Sequence, residues 1–345
     1  MVNTRKIRWW IVGLFLIAGI LVCPENGRAA QKIFLKNGNT LECDSFFLGL
    51  KNRYLWYQKS FGLVAVPLME VDVDKTFDEN IKAILAKRFD YDSIDLARKF
   101  LDLSGLEKAI PMLGQSALSG LSAQQQKTQL PIAVYQRLLS LVKRSYGFLK
   151  IKGKLLEQIA ENMDPLRARE VLEWLESPLG LRITALEENA STKTVERNRA
   201  AFAKNIRNDP PDPERLALYG RFEKAVGTAE AVADLITVSY EGIARGVNKT
   251  MPVDTRMDSE TIERELANTR SAALDKYRES SKIDFLFTYR DLSDEELETY
   301  LAFAESKVGR WYHGMLFKSL NAVQSRVSED MGEGIVEVIA RTRTL

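Results

Sequence analysis

The sequence predicts an α+β, mainly α protein: a small N-terminal antiparallel β-sheet or barrel module followed by two repeated α-helical domains. Three observations predict it. Residues 32–73 alternate apolar and polar positions between turn residues. From Phe77 onward, apolar residues recur at spacings of three and four. One nine-residue pattern occurs twice in the helical part. The expected organisation is a signal peptide over 1–30, a β-module over 31–75, helical repeat 1 over 76–207, a proline-rich linker over 208–213 and helical repeat 2 over 214–345.

Met1 to Arg8 carry Arg5, Lys6 and Arg8 with no acidic residue, and Trp9 to Val22 run without a charge before the polar stretch Cys23 to Ala30. A basic flank, a short apolar core and a small-residue end are the parts of an export signal, with cleavage expected near Ala29 or Ala30. An uncleaved anchor needs roughly 20 apolar residues, more than this run supplies. A lipoprotein cysteine ordinarily follows Gly, Ala or Ser, and here Val22 precedes Cys23. The expected location is therefore the periplasm, with no membrane span after cleavage. Losing residues 1–30 removes Arg5, Lys6, Arg8, Arg28 and Glu25, which takes 49 basic and 47 acidic residues to 45 and 46. A nearly neutral chain argues against a nucleic-acid partner, which demands a local excess of positive charge. Cys43 is the one cysteine left and cannot form an intramolecular disulfide, so stability must come from packing.

In the β-module, Asn37-Gly38 suits a tight hairpin turn between Lys32–Lys36 and Thr40–Cys43. Tyr54 to Gln58 and Leu63 to Pro67 are two further strand-like runs. Asp72, Asp74 and Asp78 lack the glycine of a calcium loop and are read as leading into the first helix. Ile81, Ile84, Leu85 and Phe89 form one helical stripe, and Ile94, Ala97, Phe100 and Leu101 begin the next. Pro131 to Phe148 and Lys154 to Met163 continue the pattern, and the polar segment Ser122 to Gln129 is read as a connection. Pro210, Pro211 and Pro213 exclude helix and mark the linker. A helix is expected near 214–247, a break over Thr250–Asp258, and a polar helix from Ser259.

Leu172-Glu173-Trp174-Leu175-Glu176-Ser177-Pro178-Leu179-Gly180 aligns without a gap on Leu301-Ala302-Phe303-Ala304-Glu305-Ser306-Lys307-Val308-Gly309. Each copy follows a helix-start signal at the same offset: Asp164-Pro165 in the first, and the capping box Ser293-Asp294-Glu295-Glu296 in the second. A weaker echo relates the residues after Gly105 to those after Gly227. The block Leu101 to Ala109, followed by Trp174 to Gly180, resembles an uncharacterised family of exported bacterial helical domains of unknown function, whose unit closes on a Ser-Pro-x-Gly-like motif. The resemblance covers roughly 94–190 and, more loosely, 215–318, where Lys307 stands in place of the proline. Residues 32–73 are similar to small exported β-modules found beside helical domains in envelope proteins. The resemblance implies fold and compartment and carries no established activity.

Candidate chemistry is sparse. Glu176 and Glu305 could form a catalytic carboxylate pair if the two motifs face each other, but no histidine, lysine pair or aspartate stands at a fixed spacing from them. The stronger reading of the motif is structural, Ser177 as a cap and Gly180 as a point of close helix approach or a tight turn. His313 is the only histidine, so histidine-based triads and zinc sites lack ligands, and it is expected at the edge of a helix packing face. No phosphate-cradling glycine loop is present, and no cofactor or metal is expected. Alternation places Tyr54 and Trp56 on one strand face and Leu55 and Tyr57 on the other, so Tyr54 and Trp56 are candidate binding residues. The expected function is a non-enzymatic envelope binding or scaffolding module with a protein, peptide or glycan partner. The alternative is an envelope hydrolase or lyase using Glu176 and Glu305.

Overall fold

The computed structural model describes residues 31–43, 45–48, 54–59, 62–190, 193–208 and 211–340. The expected signal peptide, and Pro210 of the expected linker, lie outside the described residues. The chain divides into two compact units between Asp95 and Leu96.

The first unit holds five short strands and a helix. Strands β1 (Gln31–Phe34) and β2 (Thr40–Cys43) form an antiparallel hairpin, and β3 (Ser45–Leu48), β4 (Tyr54–Lys59) and β5 (Gly62–Pro67) form an antiparallel sheet in that order. The hairpin turn falls at Asn37-Gly38: Gly38 takes φ 89°, and Asn37 Oδ1 accepts the amide of Asn39 at 3.0 Å. Ile33, Leu55, Tyr57 and Val66 are buried, and along β4 the exposed Tyr54 and Gln58 flank the buried Leu55 and Tyr57, so that strand's faces divide as alternation requires. Cys43 is buried in the same core.

The free edge of β1 is covered in an unusual way. Helix α1 (Val73–Leu85), capped by Asp72, presents Thr76 and Asn80 one turn apart. Thr76 Oγ1 accepts the amide of Phe34 at 2.9 Å, and Asn80 Oδ1 accepts that of Lys32 at 2.9 Å. Two buried helix side chains thus stand in for a neighbouring strand and blunt the edge.

The second unit is helical. After α2 (Tyr91–Leu103) come α3 (Leu106–Thr128), α4 (Ile132–Ser145), α5 (Phe148–Asn162), α6 (Pro165–Leu175), α7 (Pro178–Ala190) and α8 (Lys193–Asn208). The second half holds α9 (Pro213–Val226), α10 (Thr228–Thr250), α11 (Ser259–Thr288), α12 (Asp294–Glu305) and α13 (Lys307–Ala340). Two expectations change. Ser122 to Gln129 is no connection, because α3 runs through Thr128, as the helix-favouring Gln and Ala residues permit. The helix expected near 214–247 is broken by Gly227 at φ 69°.

That break extends the repeat. Gly105 takes φ 70° between α2 and α3, and Gly227 takes φ 69° between α9 and α10. The helix after each glycine has 23 residues. The copies then correspond as α2 to α9, α3 to α10, α4 with α5 to α11, α6 to α12, and α7 with α8 to α13. The packing is reciprocal: α13 lies on α4 and α5 of the first copy, as α7 and α8 lie on α11 of the second. Each copy covers the other's apolar face, which explains why both halves cluster as one compact unit. Among the described residues, no helix is long and apolar enough to cross a membrane.

Candidate functional site

The repeated motif builds the frame of the site. In both copies a serine ends one helix and starts the next: Ser177 Oγ accepts the amide of Gly180 at 3.0 Å, and Ser306 Oγ accepts that of Gly309 at 2.9 Å. A Cβ on Gly180 would land on the carbonyl oxygen of Trp174, and one on Gly309 on that of Phe303. Only glycine fits this close approach of a helix start to the preceding turn. Burial classes agree at all motif positions but one, Glu176 being exposed where Glu305 is half-buried.

The two motif aromatics meet. Trp174 and Phe303 stack with centroids 4.6 Å apart and planes 11° from parallel, and Tyr300 stacks on the same indole at 6.0 Å. The local two-fold relation of the copies passes through this pair, because equivalent side chains face each other across it.

The motif glutamates are committed elsewhere. Glu176 pairs with Lys99 at 2.5 Å, and Glu305 accepts from Arg221 Nε at 3.0 Å and Nη2 at 2.8 Å. Lys99 precedes Phe100 on α2 as Arg221 precedes Phe222 on α9, so these ion pairs are a further element of the repeat. The Arg221 guanidinium holds the Glu305 carboxyl below the usual carboxylate range. An ionised carboxylate tied to a guanidinium is poorly suited to act as a general acid.

Beside the stack, α7 and α13 line a cavity of about 430 Å³. Ile183, Thr184 and Glu187 of α7 line it, and so do their motif-aligned counterparts Tyr312, His313 and Leu316 of α13. Matched positions of both copies thus face one space, and the chemistry is lodged where the copies differ: Glu187 against Leu316, His313 against Thr184. A smaller hollow of about 210 Å³ shares Ser104, Glu187, Leu316 and Phe317 with it.

Glu187 is half-buried as a residue, but its carboxyl group is a hydrogen-bonding centre of the interior. Tyr289 Oη donates to Glu187 Oε1 at 2.6 Å and Tyr300 Oη donates to the same atom at 3.2 Å. Burial pushes the Glu187 pKa up, and the two hydroxyls act against that rise. Burial and the adjacent Glu187 carboxylate push the Tyr289 and Tyr300 phenols well above their ordinary range, so both remain hydrogen-bond donors. Arg215 fixes the turn that carries Tyr289, donating to the carbonyl oxygens of Tyr289 at 2.5 Å and Leu292 at 2.9 Å.

His313 is buried and lines the cavity, whereas the sequence placed it at the edge of a packing face. Its Nε2 has no hydrogen-bond partner within the protein, and burial lowers its pKa to about 4, so the ring is neutral at pH 7. At another part of the lining, Arg199 pairs with Asp284 at 2.9 Å. Among the described residues, no group of three or more His, Cys, Asp or Glu side chains is placed to hold a metal ion.

In the β-module, Tyr54 is exposed and lines an open surface hollow with Lys36, Leu68 and Met69, while the side chain of Trp56 lies outside the described residues. Sequence reasoning missed Glu187, Tyr289 and Tyr300. A signal for the first was present, since extending the motif alignment past Gly180 sets Glu187 against Leu316, a charge at a position the other copy keeps apolar. Comparison with protein-family models, curated proteins and solved structures gives no match to this chain.

Proposed function

We propose that this is an exported, non-enzymatic binding protein of the cell envelope, whose helical unit takes a small organic ligand into the cavity between α7 and α13. The observation that carries the reading is the cavity itself: about 430 Å³, within the size range of small-molecule sites, walled by aromatic rings and lined by the polar side chains of Glu187 and His313. The export part of the reading is supported by the basic flank, apolar core and small-residue end of residues 1–30.

Native mass spectrometry of the protein recovered from an envelope fraction tests it. The wild type is expected to start at Gln31 and to carry a small-molecule adduct. Val232→Trp, which fills the cavity from α10, is expected to lack the adduct while unfolding at a similar denaturant concentration. An adduct on neither protein, or equally on both, contradicts the binding reading. Turnover in a peptidoglycan or metabolite screen, abolished by Glu176→Gln or Glu305→Gln, contradicts its non-enzymatic part.

A further inference from the structure

We propose that the ligand of this cavity is a protonated amine carried on an apolar body, held at the Glu187 carboxyl group beside Tyr300 and His313 within an aromatic wall. The inference rests on the reading of the cavity as a ligand site and adds the chemical class. Three features of the lining point to it.

The polar cluster at Glu187 is poor in free donors. The Tyr289 and Tyr300 hydroxyl protons are directed to Glu187 Oε1, so neither hydroxyl offers its proton to a ligand. The His313 ring that lines the same space is neutral and adds no positive charge to it. A ligand group with several N–H donors satisfies this cluster, and a carboxylate or phosphate does not.

The charge balance has the same sign. Across the cavity and its smaller neighbour the carboxylates are Glu187, Glu188 and Asp284, and the cations are Lys108 and Arg199. Lys108 is engaged with Glu188 at 2.6 Å and Arg199 with Asp284 at 2.9 Å, so each cation already has a carboxylate partner. The walls complete the argument. Trp174, Phe222, Phe285, Tyr289, Tyr300 and Tyr312 all line the space, and ring faces attract a cation most strongly where water is excluded.

The test uses three probes that share a phenylethyl body, titrated by calorimetry into the full mature chain: phenethylammonium, its neutral isostere propylbenzene, and the anion 3-phenylpropanoate. The expected result is phenethylammonium binding about tenfold or more tighter than propylbenzene, with no measurable binding of the anion. Glu187→Gln, which keeps the acceptor for both tyrosines, is expected to weaken phenethylammonium about tenfold and to leave propylbenzene unchanged. Propylbenzene binding as tightly as phenethylammonium to the wild type overturns the amine inference and leaves the cavity a ligand site, whether or not the variant folds. Binding of none of the three probes overturns both the inference and the reading beneath it.

Discussion

The two copies of the helical unit share a frame and differ in how continuous their helices are. The first uses α4 and α5, broken at Tyr146-Gly147, where the second runs α11 as 30 residues without interruption. It likewise uses α7 and α8 where the second runs α13 as 34 residues. The long helices belong to the copy in which α10 and α13 form the most extensive helix pair among the described residues. There the backbones nearly touch: a Cβ on Gly246 would lie 2.9 Å from the Cα of Gly332. At the position equivalent to Gly246, α3 carries Gln124, whose side chain prevents any such approach. The difference teaches that the motif turn and its aromatic stack were enough to keep the copies paired. The outer helices were free to diverge, and a cavity with unmatched polar groups remained on the shared axis.

The comparison can be broken at the stack first, where the largest effect is expected. Trp174→Ala and Phe303→Ala should each cost about 3–4 kcal/mol in denaturant unfolding, and the double variant should reveal a coupling of about 1 kcal/mol. Strict additivity would mean that the two motifs do not stabilise each other.

His313 is the next largest. Its folded pKa of about 4 lies below the ordinary 6.5, so in that window the unfolded chain holds a proton that the native chain excludes. Stability is therefore fully present above pH 6.5 and is lost as pH falls towards 4, by about 3 kcal/mol from this residue. Glu187 has a raised pKa and acts with the opposite sign, losing stability as pH rises above its ordinary 4.5. The His313→Gln variant should remove only the acid-side loss, which urea midpoints across pH 4–7 would record.

The motif glycines sharpen the symmetry. Gly180→Ala and Gly309→Ala force the same clash, Cβ against the carbonyl oxygen of the preceding aromatic residue, and should lower stability by similar amounts of about 2 kcal/mol each. Unequal losses in thermal unfolding would show that one turn relaxes and the other does not. The smallest effect is expected at the ion pairs. Lys99 and Glu176 are about half exposed, so Lys99→Ala should cost about 0.5 kcal/mol, and Arg221→Ala, which frees Glu298 as well as Glu305, slightly more.

The fold was legible where local chemistry decides it. The Asn37-Gly38 turn, the Asp164 cap and the Ser293 capping box all rest on hydrogen bonds within three residues, and all are present. The nine-residue repeat was visible in the letters. Its extension to Gly105 and Gly227 was not, because an apolar stripe continues across Gly227 and hides the break. The cavity was least legible. Glu187, Tyr289 and Tyr300 come from three helices or their ends, and nothing in their spacing announces that one carboxyl oxygen accepts both hydroxyls. Solvent-facing charge on α7 looks the same in sequence as a charge turned inward.

Two methionines mark the two rival binding places: Met112 lines the helical cavity, and Met69 lines the hollow beside Tyr54 in the β-module. Carbon-13 methyl spectra of the methionine-labelled protein, assigned by Met112→Leu and Met69→Leu, test the central claim most directly. On addition of phenethylammonium the Met112 methyl resonance should move with saturable dependence while Met69 stays fixed. Movement of Met69 with Met112 unchanged would contradict a ligand site between α7 and α13 and transfer binding to the β-module.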